Sequence, residues 1–122
     1  QVKQSPLKDV AGLFRSFHYA LFVVLKNSHQ SGSIPEKEIN LARQMYQRMT
    51  SSFMEEYQQL AFNNQLDIGY QQEIDFLLQY FMLEKAIYEL GYELNGRPDW
   101  AVIPLRGILE IINEIKSYGK PG

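Results

Sequence analysis

Apolar residues recur along this chain every three or four positions and nowhere alternate in steps of two, a pattern that predicts helices and no strands. From Leu7 the positions Val10, Ala11, Phe14, Phe17, Leu21 and Val24 keep helical spacing, and the polar stretch from Asn27 to Gly32 closes the segment. Ser5 can cap, and Pro6 at the first helical position has no amide proton to leave unpaired. A first helix is therefore predicted over about residues 6 to 27. Ser33-Ile34-Pro35-Glu36 has the form of a capping box, in which the Ser accepts from the third helical amide while the Glu reaches back to the cap. It opens a second helix whose stripe, Ile39, Ala42, Met45, Tyr46, Met49, Phe53, Met54, Tyr57 and Leu60, runs to about Phe62, with Thr50-Ser51-Ser52 as the expected place for a kink. Asn63-Asn64 and then Gly69 break it.

The third helix has the clearest period. Phe76, Tyr80, Leu83, Ile87, Leu90 and Leu94 step by four and three alternately, a seam expected to face another helix. Asn95-Gly96 suits a left-handed C-terminal cap, and Pro98 forbids continuation. Pro104 can open a fourth helix with a broad apolar face made by Leu105, Ile108, Leu109, Ile111, Ile112 and Ile115, ending before Gly119. The expected fold class is all-α, a four-helix bundle-like unit spanning residues 1–122 as one domain, with no internal repeat.

Composition narrows the functions. A net charge of -2 supplies no basic field for a phosphate backbone, so nucleic acid is not an expected partner. The longest apolar run, Ala20 to Leu25, is far too short to span a bilayer, no signal-peptide pattern opens the sequence, and the expected location is cytoplasmic. Without cysteine there is neither a disulfide framework nor a thiolate metal site.

Catalytic chemistry finds little to use. His18 and His29 are not spaced as a metal pair, and no metalloprotease, nucleophile-elbow or phosphate-cradling motif occurs. Packing or surface exposure is the expected role of His18. Asp75-Phe76 resembles the start of a kinase metal-binding motif, yet it lies inside a helical pattern and lacks the following Gly or Glu. The polar side of helix three is the exception. At 100° per residue Glu84, Lys85, Tyr88, Glu89 and Tyr92 fall within one arc of about 140°. They form either a solvated end of the helix, with Lys85 and Glu89 as an i,i+4 pair, or a carbohydrate-binding face. Carboxylates accept from paired hydroxyls, Lys donates to sugar oxygens, and Tyr offers a ring and a polar tip.

Two stretches resemble a known family. Ser5-Pro-Leu-Lys-Asp-Val-Ala-Gly-Leu-Phe-Arg-Ser-Phe-His-Tyr-Ala20 is similar to the segment after the metal-binding motif of maltokinases, including those fused to trehalose synthase, an α-amylase-family enzyme. Leu83-Glu-Lys-Ala-Ile-Tyr-Glu-Leu-Gly-Tyr-Glu-Leu-Asn95, with Arg97-Pro-Asp-Trp100 and Ile103-Pro-Leu-Arg-Gly107, resembles that family's Glu-Lys-Ala-x-Tyr-Glu-x-x-Tyr-Glu signature and tail. Together they cover a little under half of the chain, and residues 28 to 70 show no distinctive match.

The resemblance implies the acceptor-side C-terminal lobe of a kinase similar in fold to the aminoglycoside and choline kinases. ATP and Mg2+ belong to the parent's upstream part, together with the catalytic and metal-binding Asp residues, and no cofactor or catalytic residue is expected here. The signature implies that Glu84, Lys85, Tyr88, Glu89, Tyr92 and Glu93 shape the site for maltose or a related α-glucoside. Gly91 stands where the family carries a larger, often basic residue, and Asp9 and Arg15 are expected to organise the lobe rather than react. The implied partners are the sugar and the N-terminal part of the kinase, and self-association is expected where the missing lobe leaves apolar surface uncovered. A noncatalytic helical interaction module, with the polar band as plain surface, is the alternative.

Overall fold

The computed structural model describes residues 6–29, 32–64 and 71–118, all helix or short connection and without a strand among them. The expected cap Ser5 and the breakers Gly69 and Gly119 lie outside the described residues. Helix α1 runs Pro6–Ser28, α2 Glu36–Asn63, α3 Gln71–Gly96 and α4 Val102–Tyr118, and one turn of 3-10 helix, Pro98–Ala101, joins α3 to α4. The all-α expectation holds, and each predicted helix exists within a few residues of its expected ends.

Two details at the ends differ. Pro35 is the residue preceding α2 and makes no side-chain cap bond, so the Ser33–Glu36 box does not form. The Pro35 carbonyl instead accepts from the amides of Glu38 and Ile39, at 3.0 and 3.1 Å. Gly96 does not take the left-handed conformation expected of a C-cap. Helical bonding continues one residue further, the Arg97 amide donating to the Glu93 carbonyl at 2.7 Å, before Pro98 turns the chain.

Helices α1, α3 and α4 pack on one another, with small side chains where α1 and α3 approach. Ala11 and Ala86 are fully enclosed among Val10, Phe14, Leu78, Met82 and Ile111. A second cluster joins the far end of α1 to α2 and the start of α4 through Phe22, Ile39, Ala42 and Ile103. Burying a side chain such as Phe22 contributes about 1.5–3 kcal/mol, so these two clusters dominate the cohesion of the unit.

Helix α2 behaves as an arm laid against α1. Of its expected stripe only Ile39 and Ala42 are buried, whereas Met45, Met49, Phe53 and Leu60 stay exposed. Tyr46, Met54 and Tyr57 pack at the edge of the main cluster, and Phe53 meets Phe14 edge-on with ring centroids 5.5 Å apart. The seam expected on α3 is corrected as well. Its buried face is Ile74, Leu78, Met82, Ala86 and Glu93, while Phe76, Tyr80, Ile87 and Leu94 face solvent.

Candidate functional site

Among the described residues three charged or titratable side chains are fully buried, Arg15 and His18 on α1 and Glu93 on α3, and each is held by a partner. Arg15 reaches across to α3, where Nε and Nη2 both donate to Oε1 of Glu89, at 3.1 and 2.6 Å. A charged guanidinium taken out of water demands such a partner, and the bond locks the register of α1 on α3. The roof over the guanidinium is Gly107 of α4, where a Cβ would stand 2.5 Å from Nη1. Arg15 is thus an organiser that ties three helices.

One turn further along α1, His18 lies between the rings of Phe22 and Tyr46, with centroids 4.7 and 5.1 Å away. Its Nε2 is 3.2 Å from Oε1 of Glu110 on α4, and Nη2 of Arg43 on α2 approaches the other Glu110 oxygen at 3.8 Å. His18 Nδ1, Arg43 Nε and Glu110 Oε2 have no hydrogen-bond partner within the fold. These groups form the inner wall of a cleft of about 900 Å³ between α2, α3 and α4, which Gln47, Gln58, Asp75, Gln79 and Glu114 extend outward. Nothing in the sequence signalled this cleft, because its residues come from four helices and share no motif.

The cleft disfavours a second negative charge. Burial pushes the Tyr46 phenol well above its usual range, with Arg15 opposing and Glu110 and Glu114 adding to the shift. Tyr118 at the mouth is pushed up to about 12, chiefly by burial and then by Glu114 and Asp75. Asp75 accepts from Gln71 Nε2 at 2.8 Å within its own helix. No group of three His, Asp or Glu converges as a metal site among the described residues.

The six residues of the expected sugar face divide into two sets. Glu84, Lys85, Tyr88 and Tyr92 are exposed on α3, the two phenols at 73% and 66% and one helical turn apart. The Lys85 ammonium sits 5.9 Å from the centre of the Tyr88 ring. Glu89 pairs with Arg15 rather than with Lys85. Glu93 is 2% exposed and accepts a two-pronged bond from Arg97, Nε to Oε1 and Nη2 to Oε2, both at 3.0 Å. The Arg97 guanidinium also lies 4.2 Å from the centre of the Trp100 ring, which binds the Pro98–Ala101 turn to the end of α3. None of the six lines the cleft described above.

No family model matches the chain, and no solved structure matches it. No helix among the described residues is long and apolar enough to cross a membrane.

Proposed function

We propose that this chain is the noncatalytic, acceptor-side helical part of a maltokinase-type kinase, and that the outward face of α3 holds maltose or a related α-glucoside. In this reading the γ-phosphoryl of ATP passes to the anomeric hydroxyl of maltose in the parent enzyme, whose upstream part handles ATP and Mg2+. The chain itself contributes position: a hydroxyl held in line with the phosphate avoids much of the entropic cost of a bimolecular encounter.

The observation that supports the reading is the display of Tyr88 and Tyr92 on successive turns beside Lys85, with little of either phenol in contact with the fold. Large amphipathic side chains left this free are suited to stacking on a sugar ring and bonding its hydroxyls. Glu89 and Glu93 serve behind them, one fixing α1 and the other the turn that follows.

Substitution in the intact kinase tests it. Tyr88→Ala and Lys85→Ala should lower kcat/KM for maltose about tenfold or more, the loss expected of about 1–3 kcal/mol in sugar contacts, with KM for ATP unchanged. Wild-type kcat/KM for maltose in both variants would show the band to be plain surface.

A further inference from the structure

The α3 residues that step by four and three, Phe76, Tyr80, Leu83, Ile87, Leu90 and Leu94, carry the pattern of a coiled-coil seam; Leu83 touches the main cluster and Leu90 is partly buried, but among the described residues no helix covers the other four. Phe76, Tyr80, Ile87 and Leu94 are 52%, 51%, 55% and 56% exposed. In heptad register Tyr80, Ile87 and Leu94 occupy a, and Phe76, Leu83 and Leu90 occupy d. A continuous apolar row of this kind, over nineteen residues from Phe76 to Leu94, is what a facing helix requires.

We propose that this face is an antiparallel interface between two copies of the chain, α3 laid on α3. The order of side chains selects both the partner and the direction. Antiparallel pairing sets each a position against a d position of the second copy, so Phe76 meets Leu94, Tyr80 meets Leu90 and Leu83 meets Ile87. The aromatic end of each seam then lies on the aliphatic end of the other. Beside Leu90 stands Gly91, and nothing lies within 4 Å of where its Cβ would be, which leaves a recess for the incoming Tyr80 ring. A parallel pair crowds four aromatic rings at one end. The row thus complements itself under a two-fold axis, as an isologous interface demands.

Area sets the strength. Half of a large side chain of about 200 Å² is about 100 Å² for each of the four exposed residues. With the half-buried Leu83 and Leu90 and the flanking Leu77, each copy offers on the order of 500–600 Å², at the lower edge of specific interfaces. The dimer is weak and concentration-dependent.

Because the chain has no cysteine, cross-linking reads the geometry directly. Sedimentation of the full chain should show a reversible dimer, and Ile87→Glu should raise its Kd at least tenfold while the helical circular dichroism is unchanged. Under mild oxidation Tyr80→Cys mixed with Leu90→Cys should yield a covalent heterodimer, whereas Ile87→Cys alone should not link to itself. A strict monomer at millimolar concentration, a dimer indifferent to Ile87→Glu, or Ile87→Cys linking to itself in place of the mixed pair would overturn the proposal.

Discussion

Gly107 on α4 lies over the Arg15 guanidinium so closely that a Cβ would stand 2.5 Å from Nη1 and 3.0 Å from Cζ. Arg15 is 1% exposed and bonded to Glu89 at 2.6 Å, which holds its head in place beneath the glycine.

Gly107→Ala should therefore destabilise the fold by about 1–3 kcal/mol through overpacking, although Gly to Ala in a helix normally gains up to about 1 kcal/mol. Denaturant titration gives the sign, and a stabilised variant would show that Arg15 has another resting place.

Glu89→Ala leaves the guanidinium buried and unpaired, which should cost about 3–5 kcal/mol. The double variant Arg15→Met, Glu89→Leu should recover most of that loss, since apolar side chains of similar volume remove the buried charge with its partner. Urea midpoints of the wild type, the single variant and the double variant make the comparison.

Packing on α3 is tested by two residues on different faces of the helix. Met82→Ala opens a cavity in the main cluster and should cost about 2–5 kcal/mol. Ile87→Ala should cost much less in the monomer, because Ile87 is 55% exposed. Thermal melts at low protein concentration separate the two, and equal losses would put Ile87 in the core.

Alkaline pH should unfold the chain from within. A phenol in the unfolded chain titrates near 10, whereas Tyr118 titrates at about 12 and Tyr46 higher still, both chiefly because burial disfavours the charged form. Their stabilising contribution is complete below pH 10 and is lost as pH rises through the folded values. Tyrosinate absorbance should show a late-titrating component that Tyr46→Phe reduces, and Tyr46→Phe should also flatten the alkaline fall in Tm.

The exposure of the α3 seam shows where periodicity stops being informative. Two apolar rows run along this helix, one stepping by four through Ile74, Leu78, Met82 and Ala86, the other alternating four and three. Both are helical patterns of comparable hydrophobicity, and spacing cannot say which one a neighbour covers. Ala86 answers it in three dimensions: its small side chain lets α1 come close, with Ala11 enclosed on the other side.

The polar band divides for a related reason. Glu84, Lys85, Tyr88, Glu89 and Tyr92 were legible as a group because residue type and a 3.6-residue turn are enough to place side chains along one helix, and Glu93 joined them only through the resemblance. Glu89 and Glu93 leave the group only because Arg15 and Arg97 come within bonding distance. One partner arrives from 74 residues away and the other stands one helical turn further on, immediately before Pro98.

The sequence by itself determined four helices and their approximate limits, since local spacing, prolines and glycines act within a few residues of where they stand. Burial of Arg15 and His18, the cleft behind Tyr46 and the outward seam of α3 were decided by tertiary structure alone. Each depends on which helix faces which, and that follows from the close approach of α1 to α3 and from bonds between residues far apart in the chain, such as Arg15 with Glu89 and His18 with Glu110.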